Sequence, residues 1–230
     1  MINIAIGYDP SETVAFWVLA HSIMKRASVP VNIVPLNINY LPLSREPHPL
    51  QSTDFSFSRF LTPYLFGYSN QPAIFLDCDM LVLDDIAKLV SLRSSAYAPV
   101  SVVKHCHQPN NSTKMHGQTQ STYDCKNWSS VMVFWPSHHD CKRLTPEYVD
   151  SATGLELHQF KWVQQGSVGT LPHYWNHLVG YDEHVDEKDI SLLHWTEGGP
   201  WWEKYKEAEY ADLWGQEYLD MVSAYERPKP

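Results

Sequence analysis

The sequence predicts an α/β fold with a mainly parallel sheet flanked by helices, and three observations carry that prediction. Residues 2–36 read as strand, helix, strand. A short apolar run at 73–76 ends abruptly in paired carboxylates. Of the 230 residues, 43% are apolar, enough for one large domain with a full core.

Taken in order, INIAIGY at 2–8 is Ile-rich, short and closed by a turn signal, the pattern of a buried strand. Asp9-Pro10-Ser11-Glu12 reads as a helix start, with Asp9 as cap, Pro10 in the first helical position and Glu12 closing a capping box. Val14, Trp17, Val18, His21 and Met24 follow at helical spacing, and the helix is expected to end near Ser28–Pro30. Residues 31–36 are β-rich, and a strand–helix–strand unit favours parallel pairing through a crossover. Residues 38–54 form an extended loop, and 55–66 read as a helix disturbed by Pro63. Strands are expected at 73–76, 98–103, 131–135 and 190–194, and helices at 86–92, 138–152, 155–164 and 201–226. The polar stretch 105–127 lacks periodicity and reads as a binding loop or lid. One domain is expected, with a first half over about 1–104 and a second over about 105–230.

A net charge of −9 argues against nucleic acid as partner, because phosphate backbones are gripped by clustered Lys and Arg. No run approaches the roughly 18 apolar residues of a membrane span, and MINIAIGYDP has neither the basic region nor the apolar stretch of a signal peptide. A cytoplasmic protein is expected. Its four cysteines are then reduced, and the sequons at Asn110, Asn111 and Asn127 carry no glycan.

The strongest chemical signal is AIFLDCDM at 73–80. A buried strand that ends in carboxylates at i and i+2 delivers both to the carboxyl edge of a sheet, where open α/β sheets bind ligands. Asp77 and Asp79 can then share one hard cation, Mg²⁺ or Mn²⁺, with Cys78 turned into the core. Asp84-Asp85 reads as a helix cap. His194, in LLHWTEGGPWW, ends a later strand, and an imidazole beside two carboxylates suits Mn²⁺ better than Mg²⁺. Gly198 and Gly199 would let backbone N–H groups approach an anion. Taken alone, a strand-end histidine is more often structural. Arg59 could pair with a phosphate or with Asp77, and Lys114 and Lys126 lie in polar loops where lysines are usually solvated.

In this order the runs TDFSFSRFLTPYL, DCDMLVLDDI, TKMHGQTQ, KNWSSVMVFW and HWTEGGPW resemble a GT-A-fold (Rossmann-like) glycosyltransferase. The likeness is to glycosyltransferase family 8 and to a set of bacterial and phage proteins, and it spans roughly residues 3–202. It implies a mixed, mainly parallel sheet. Asp77 and Asp79 would bind the divalent metal, the first also touching the donor, with His194 as third ligand. Gly7, Tyr8 and Asp9 would hold the base and ribose of a UDP- or GDP-sugar. Arg59 would approach the donor sugar and diphosphate, Asn127 would line the sugar site, and Gln165 would lie on the reacting face. The acceptor would be a glycan or other hydroxyl compound, and the anomeric configuration would be retained.

Two departures stand out. The family's usual diphosphate-gripping Lys before Pro-Trp is Gly199 here, which shifts that duty to Lys114 or Lys126. Asn127-Trp128-Ser129-Ser130 is bulkier than the usual Asn-x-Gly core. Two rival readings remain. A haloacid dehalogenase-type phosphatase also places Asp-x-Asp after a strand, but Met80-Leu81-Val82 lacks the expected Gly-Thr. A sugar-binding or zinc-stabilised module could draw on His105, Cys106, His107, His116, Cys125, His138, His139 and Cys141, whose spacings match no regular zinc pattern. The aromatic segment Trp201, Trp202, Tyr205, Tyr210, Trp214 and Tyr218 reads as core packing before it reads as an acceptor platform.

Overall fold

The computed structural model describes residues 1–45, 53–92, 98–105, 125–165 and 167–226. A six-stranded sheet has the order β2-β1-β3-β6-β5-β7, and a small three-stranded sheet has the order β4-β9-β8. The large sheet comprises β1 (Ile2–Gly7), β2 (Val31–Leu36), β3 (Ala73–Leu76), β5 (Val100–Val103), β6 (Val131–Phe134) and β7 (Gly169–Leu171). The small one comprises β4 (Met80–Val82), β8 (His177–Leu178) and β9 (Leu192–His194).

β1 pairs in parallel with both β2 and β3, and β5 pairs in parallel with β7. β6 is antiparallel to β3 and to β5, so it alone runs against the other strands of a mainly parallel sheet. The central strands β3, β5 and β6 are buried throughout, which is why AIFL, VSVV and VMVF are nearly continuous apolar runs. β2 lies at the edge, where Pro35 forfeits no essential ladder bond.

α1 (Thr13–Arg26) buries Phe16, Leu19, Ala20 and Ile23 in the main core. Asp9 does cap its entry, but through Ser11 N and a 3₁₀ turn at Pro10–Glu12. Glu12 does not close a capping box; it is buried. Pro63 does not disturb a long helix either. The segment is a 3₁₀ turn (Ser58–Leu61) followed by the one-turn helix α2 (Thr62–Leu65), with Pro63 in the first turn, where its missing N–H costs nothing.

α3 (Ile86–Ser91) is capped by Asp85, whose side chain accepts from Ala87 N. The short helices expected at 138–152 and 155–164 are shorter still, α4 (Pro146–Ser151) and α5 (Gly154–His158); Thr153 and Glu156 close a capping box on α5. α6 (Ala211–Glu226) starts ten residues later than the pattern suggests. β4, β7 and β8 were not expected; at two or three residues they are too short to show a period. Most of the 105–127 loop lies outside the described residues.

Among the described residues, the buried apolar side chains form two clusters. The larger surrounds the main sheet. The smaller joins Val18, Leu81, Val179, Ile190, Leu193, Trp195, Tyr210 and Trp214 around the small sheet and α6.

Candidate active site

β3 brings the chain to the sheet edge, and Asp77 N extends its ladder by bonding Ser130 O at 3.1 Å. The chain then turns at Cys78 into β4, which is antiparallel to β9 with Met80 opposite His194. Trp195 N donates to Asp79 O at 3.0 Å, so the β4–β9 register sets His194 beside Asp79. Asp77, Asp79 and His194 each present one ligand atom within 4.8 Å of the others. Asp77 and Asp79 meet the sequence-distant His194 here because two sheets share one corner.

The hydrogen bonds around this cluster fix the imidazole. Asn176 Nδ2 donates to Ser130 Oγ at 2.9 Å and to the Asn127 carbonyl at 3.4 Å, and a carbonyl can only accept. Asn176 Oδ1 therefore faces His194, whose Nδ1–H donates to it at 2.9 Å. His194 Nε2 is left pointing at Asp79 Oδ1, 3.3 Å away. Asp79 Oδ1 is buried and accepts no hydrogen bond among the described residues. A neutral imidazole and a carboxylate cannot aim lone pairs at each other at that range without a cation or a proton between them. Two carboxylates and one oriented imidazole fit a divalent ion such as Mn²⁺ or Mg²⁺.

Arg59, only 6% exposed, reaches Asp77 Oδ1 with Nη1 at 2.9 Å and also donates to Ser129 O at 3.0 Å. The expected pairing of Arg59 with Asp77 is present.

Beneath the two aspartates lies Glu12, 1% exposed, and Cys78 Sγ–H donates to its Oε2 at 3.6 Å. Burial first, then the charges of Asp79 and Asp9, push the Glu12 carboxyl up to about 8. Burial and Glu12 push the Cys78 thiol well above its ordinary value. Asp54 is raised as well, by burial and by Asp9. This corner of the molecule therefore carries excess negative charge that a cation would relieve. The sequence reading missed Glu12, although a signal was present: Glu12, Phe16, Leu19 and Ile23 follow at i, i+4, i+7 and i+11, one buried stripe.

The remaining expected residues sort by position. Gly7 ends β1, where a Cβ would stand 2.4 Å from the Phe55 ring, so its missing side chain lets the 53–65 segment approach. Tyr8 OH pairs with Thr13 Oγ1 at 3.1 Å. Asp9 accepts from Ser11 N at 2.9 Å and from Asp54 N at 3.3 Å. Asn127 adopts a left-handed φ of +62° beside the buried Lys126, and its carbonyl accepts from Ser130 Oγ at 2.6 Å. Gly198 has φ +124°, which favours glycine, and a Cβ on Gly199 would stand 2.0 Å from the Trp201 ring. Lys114 lies outside the described residues.

Gln165 is a correction. Its backbone N–H donates to Asp140 Oδ2 at 3.2 Å, and its side chain is exposed. Asp140 follows the end of β6, where Phe134 stands opposite Ala73, the first residue of β3. That edge is opposite Asp77, so Gln165 does not lie on the reacting face. The proposed zinc set also splits. His138, His139 and Cys141 sit with Asp140 at this far edge, His105 sits at the near edge, and Cys106, His107 and His116 lie outside the described residues. In the aromatic segment, Tyr210 and Trp214 are core, while Tyr218 is exposed and stacks on Trp214.

Comparison with known proteins agrees with this geometry. The family model described as glycosyl transferase family 8 matches residues 16–204. Protein CDI of Arabidopsis thaliana is 44% identical over 220 residues, covering 92% of this chain and 84% of that protein. The apo structure of the WbbM bifunctional glycosyltransferase matches 96% of this chain with a TM-score of 0.65 at 16% identity, and the chain spans 51% of its length. The structure of the galactosyltransferase LgtC in complex with donor and acceptor sugar analogues matches with a TM-score of 0.59 at 13% identity, covering 95% of this chain and 96% of that one. At such identities these two structures speak to the fold, and both share its GT-A architecture. The phosphatase reading of the Asp-x-Asp strand falls with the family match. The chain belongs to glycosyl transferase family 8 and is a glycosyltransferase of the GT-A fold.

Proposed function

We propose that the protein transfers a sugar from a nucleoside-diphosphate donor, a UDP- or GDP-sugar, to a hydroxyl of a glycan or other acceptor. The observation that carries this reading is the convergence of Asp77, Asp79 and His194 at the sheet corner, with Nε2 of His194 oriented inward. A divalent cation held by these three residues, Mn²⁺ in preference to Mg²⁺, would supply the Lewis acid that offsets charge on the departing diphosphate. Arg59, held on Asp77, stands ready to meet the donor phosphates or sugar. The Gly7-Tyr8-Asp9 turn at the end of β1 is assigned to the base and ribose, and Asn127 to the sugar. Gly198 and Gly199, with Lys126 or Lys114, are assigned to the diphosphate.

Gln165 has no part in the step. Front-face attack by the acceptor hydroxyl, with retention of configuration, is the route proposed; the sugar then develops oxocarbenium character. We read the chain as one domain acting in the cytoplasm. Among the described residues no helix is long and apolar enough to cross a membrane.

Thermal melting with added nucleotide and metal tests the assignment. UDP or GDP with Mn²⁺ at about 100 times its dissociation constant should stabilise the protein by about 2.7 kcal/mol, and Asp79→Ala should abolish the shift. If neither nucleotide moves the melt with either metal, the donor assignment is wrong. A panel of sugar nucleotides screened for hydrolysis would then name the sugar.

A further inference from the structure

A second group of ligating side chains lies across β6 from the aspartates. β5 and β7 are parallel neighbours with Val103 opposite Leu171. Their ends therefore carry His105 and His173 side by side, with ring centroids 4.9 Å apart. Asp182, in the turn after β8, returns to them. Its Oδ2 stands 2.7 Å from His173 Nε2 and 3.9 Å from His177 Nδ1, and it accepts from Leu178 N at 2.7 Å. His105, His173 and Asp182 each offer a ligand atom within 4.8 Å of the other two.

One carboxylate thus faces three imidazoles, two of them, His105 and His177, no more than 4% exposed. Protonating all three would crowd three positive charges onto a single negative one in a largely dry place. Left neutral, the imidazoles must share one carboxylate, whose Oδ2 is already met by His173 Nε2 at 2.7 Å and by Leu178 N at 2.7 Å. A divalent cation would hold the whole group, because it binds neutral imidazole and ionised carboxylate together. Two nitrogens and one oxygen within 4.8 Å of one another, with His177 Nδ1 3.9 Å from that oxygen, make a nitrogen-rich set of the zinc type, in contrast to the carboxylate-rich Asp77–Asp79–His194 corner. With bonds of about 2.0–2.1 Å, ligand atoms of a tetrahedral zinc site stand roughly 3.3 Å apart. The observed 2.7 and 3.9 Å bracket that value. His173, with a side chain 54% exposed, leaves a way in for the ion.

We propose that His105, His173, His177 and Asp182 form a second metal site, selective for zinc and separate from the Asp77–Asp79–His194 site. Its place suggests its use. His177 directly follows Asn176, the residue that orients His194, and Asp182 closes the turn after β8. A bound zinc would tie that turn to the ends of β5 and β7, and so brace the strand that positions the catalytic corner.

Cobalt(II) tests this, because it substitutes for zinc and absorbs strongly in the visible only when four- or five-coordinate. Full-length protein stripped of metal and titrated with cobalt should develop a strong visible band saturating at one equivalent, and added zinc should bleach it. Asp79→Ala should leave the band unchanged. His173→Ala, a substitution at a half-exposed side chain, and Asp182→Asn should each remove it while circular dichroism shows a folded chain. No band in folded wild-type protein overturns the proposal, as does a band that survives His173→Ala and disappears with Asp79→Ala. The nucleotide melting test does not depend on these residues, so the two readings can fail separately.

Discussion

Glu12 is a carboxyl group that its surroundings keep protonated. It shares the corner with Asp77, Asp79 and Asp9, and burial together with those charges holds it at about 8 against an ordinary value of 4.5. Because the folded value lies above the unfolded one, its contribution to stability is fully present below pH 4.5. It is lost as pH rises through about 8. Glu12→Gln keeps the shape and removes the ionisation. The metal-free variant should therefore melt higher than wild type at pH 9 and alike at pH 4.5, as followed by calorimetry across pH. Equal melting temperatures at pH 9 would show that Glu12 reaches water or a counter-ion in solution. The aspartates were legible in the sequence because their i, i+2 spacing after an apolar strand has a direct geometric meaning. Glu12 was not read, since Asp-x-x-Glu is also the signature of a capping box, and only the deeper i+4 and i+7 partners separate the two.

Among the elements, β1, β2, β3 and α1 could be read almost residue for residue, because each is long or apolar enough to show its period. The antiparallel run of β6 could not, since strand direction depends on the connections and not on the strand's own residues. Nor could β4 and β8, although His194 meets Asp79 only through the β4–β9 register. The placement of Gln165 failed for a related reason: a motif gives order along the chain, and Asp140 pins this segment to the opposite sheet edge. The end of β1 also depends on its neighbour. Gly7 is fully covered by the Phe55 ring, and Phe55 opens the segment whose Arg59 reaches Asp77. Gly7→Ala forces that ring outward. Overpacking of this kind costs about 1–3 kcal/mol, so the urea midpoint should fall, and binding of nucleotide should weaken with it because Arg59 moves too. An unchanged midpoint would mean that the 53–65 segment yields without strain.

At the scale of the whole molecule, the site lies where the two apolar clusters meet. Asp77 belongs to the end of β3 in the large sheet, whereas Asp79 and His194 belong to the small sheet, which packs with α6. The α6 contact is itself polar in part: the buried Glu217 receives Arg26 at 2.8 Å and His21 at 2.6 Å from α1. The small sheet has only short ladders, two or three residues per strand, so it is the natural unit to open first. Opening it pulls His194 away from Asp77 and would destroy the proposed metal site. Saturating Mn²⁺ and nucleotide must then raise the free energy of that opening by the binding energy itself, about 2.7 kcal/mol at 100 times the dissociation constant. Amide exchange in β4, β8 and β9 should slow by about 100-fold, while β2, remote at the far edge of the large sheet, should keep any exchange that proceeds through openings sparing the site. Mass spectrometry of peptic fragments reads both regions in one experiment. If β4 and β9 exchange at the same rate with and without ligands while nucleotide is bound, the metal does not bridge the two sheets and the corner does not work as a clasp.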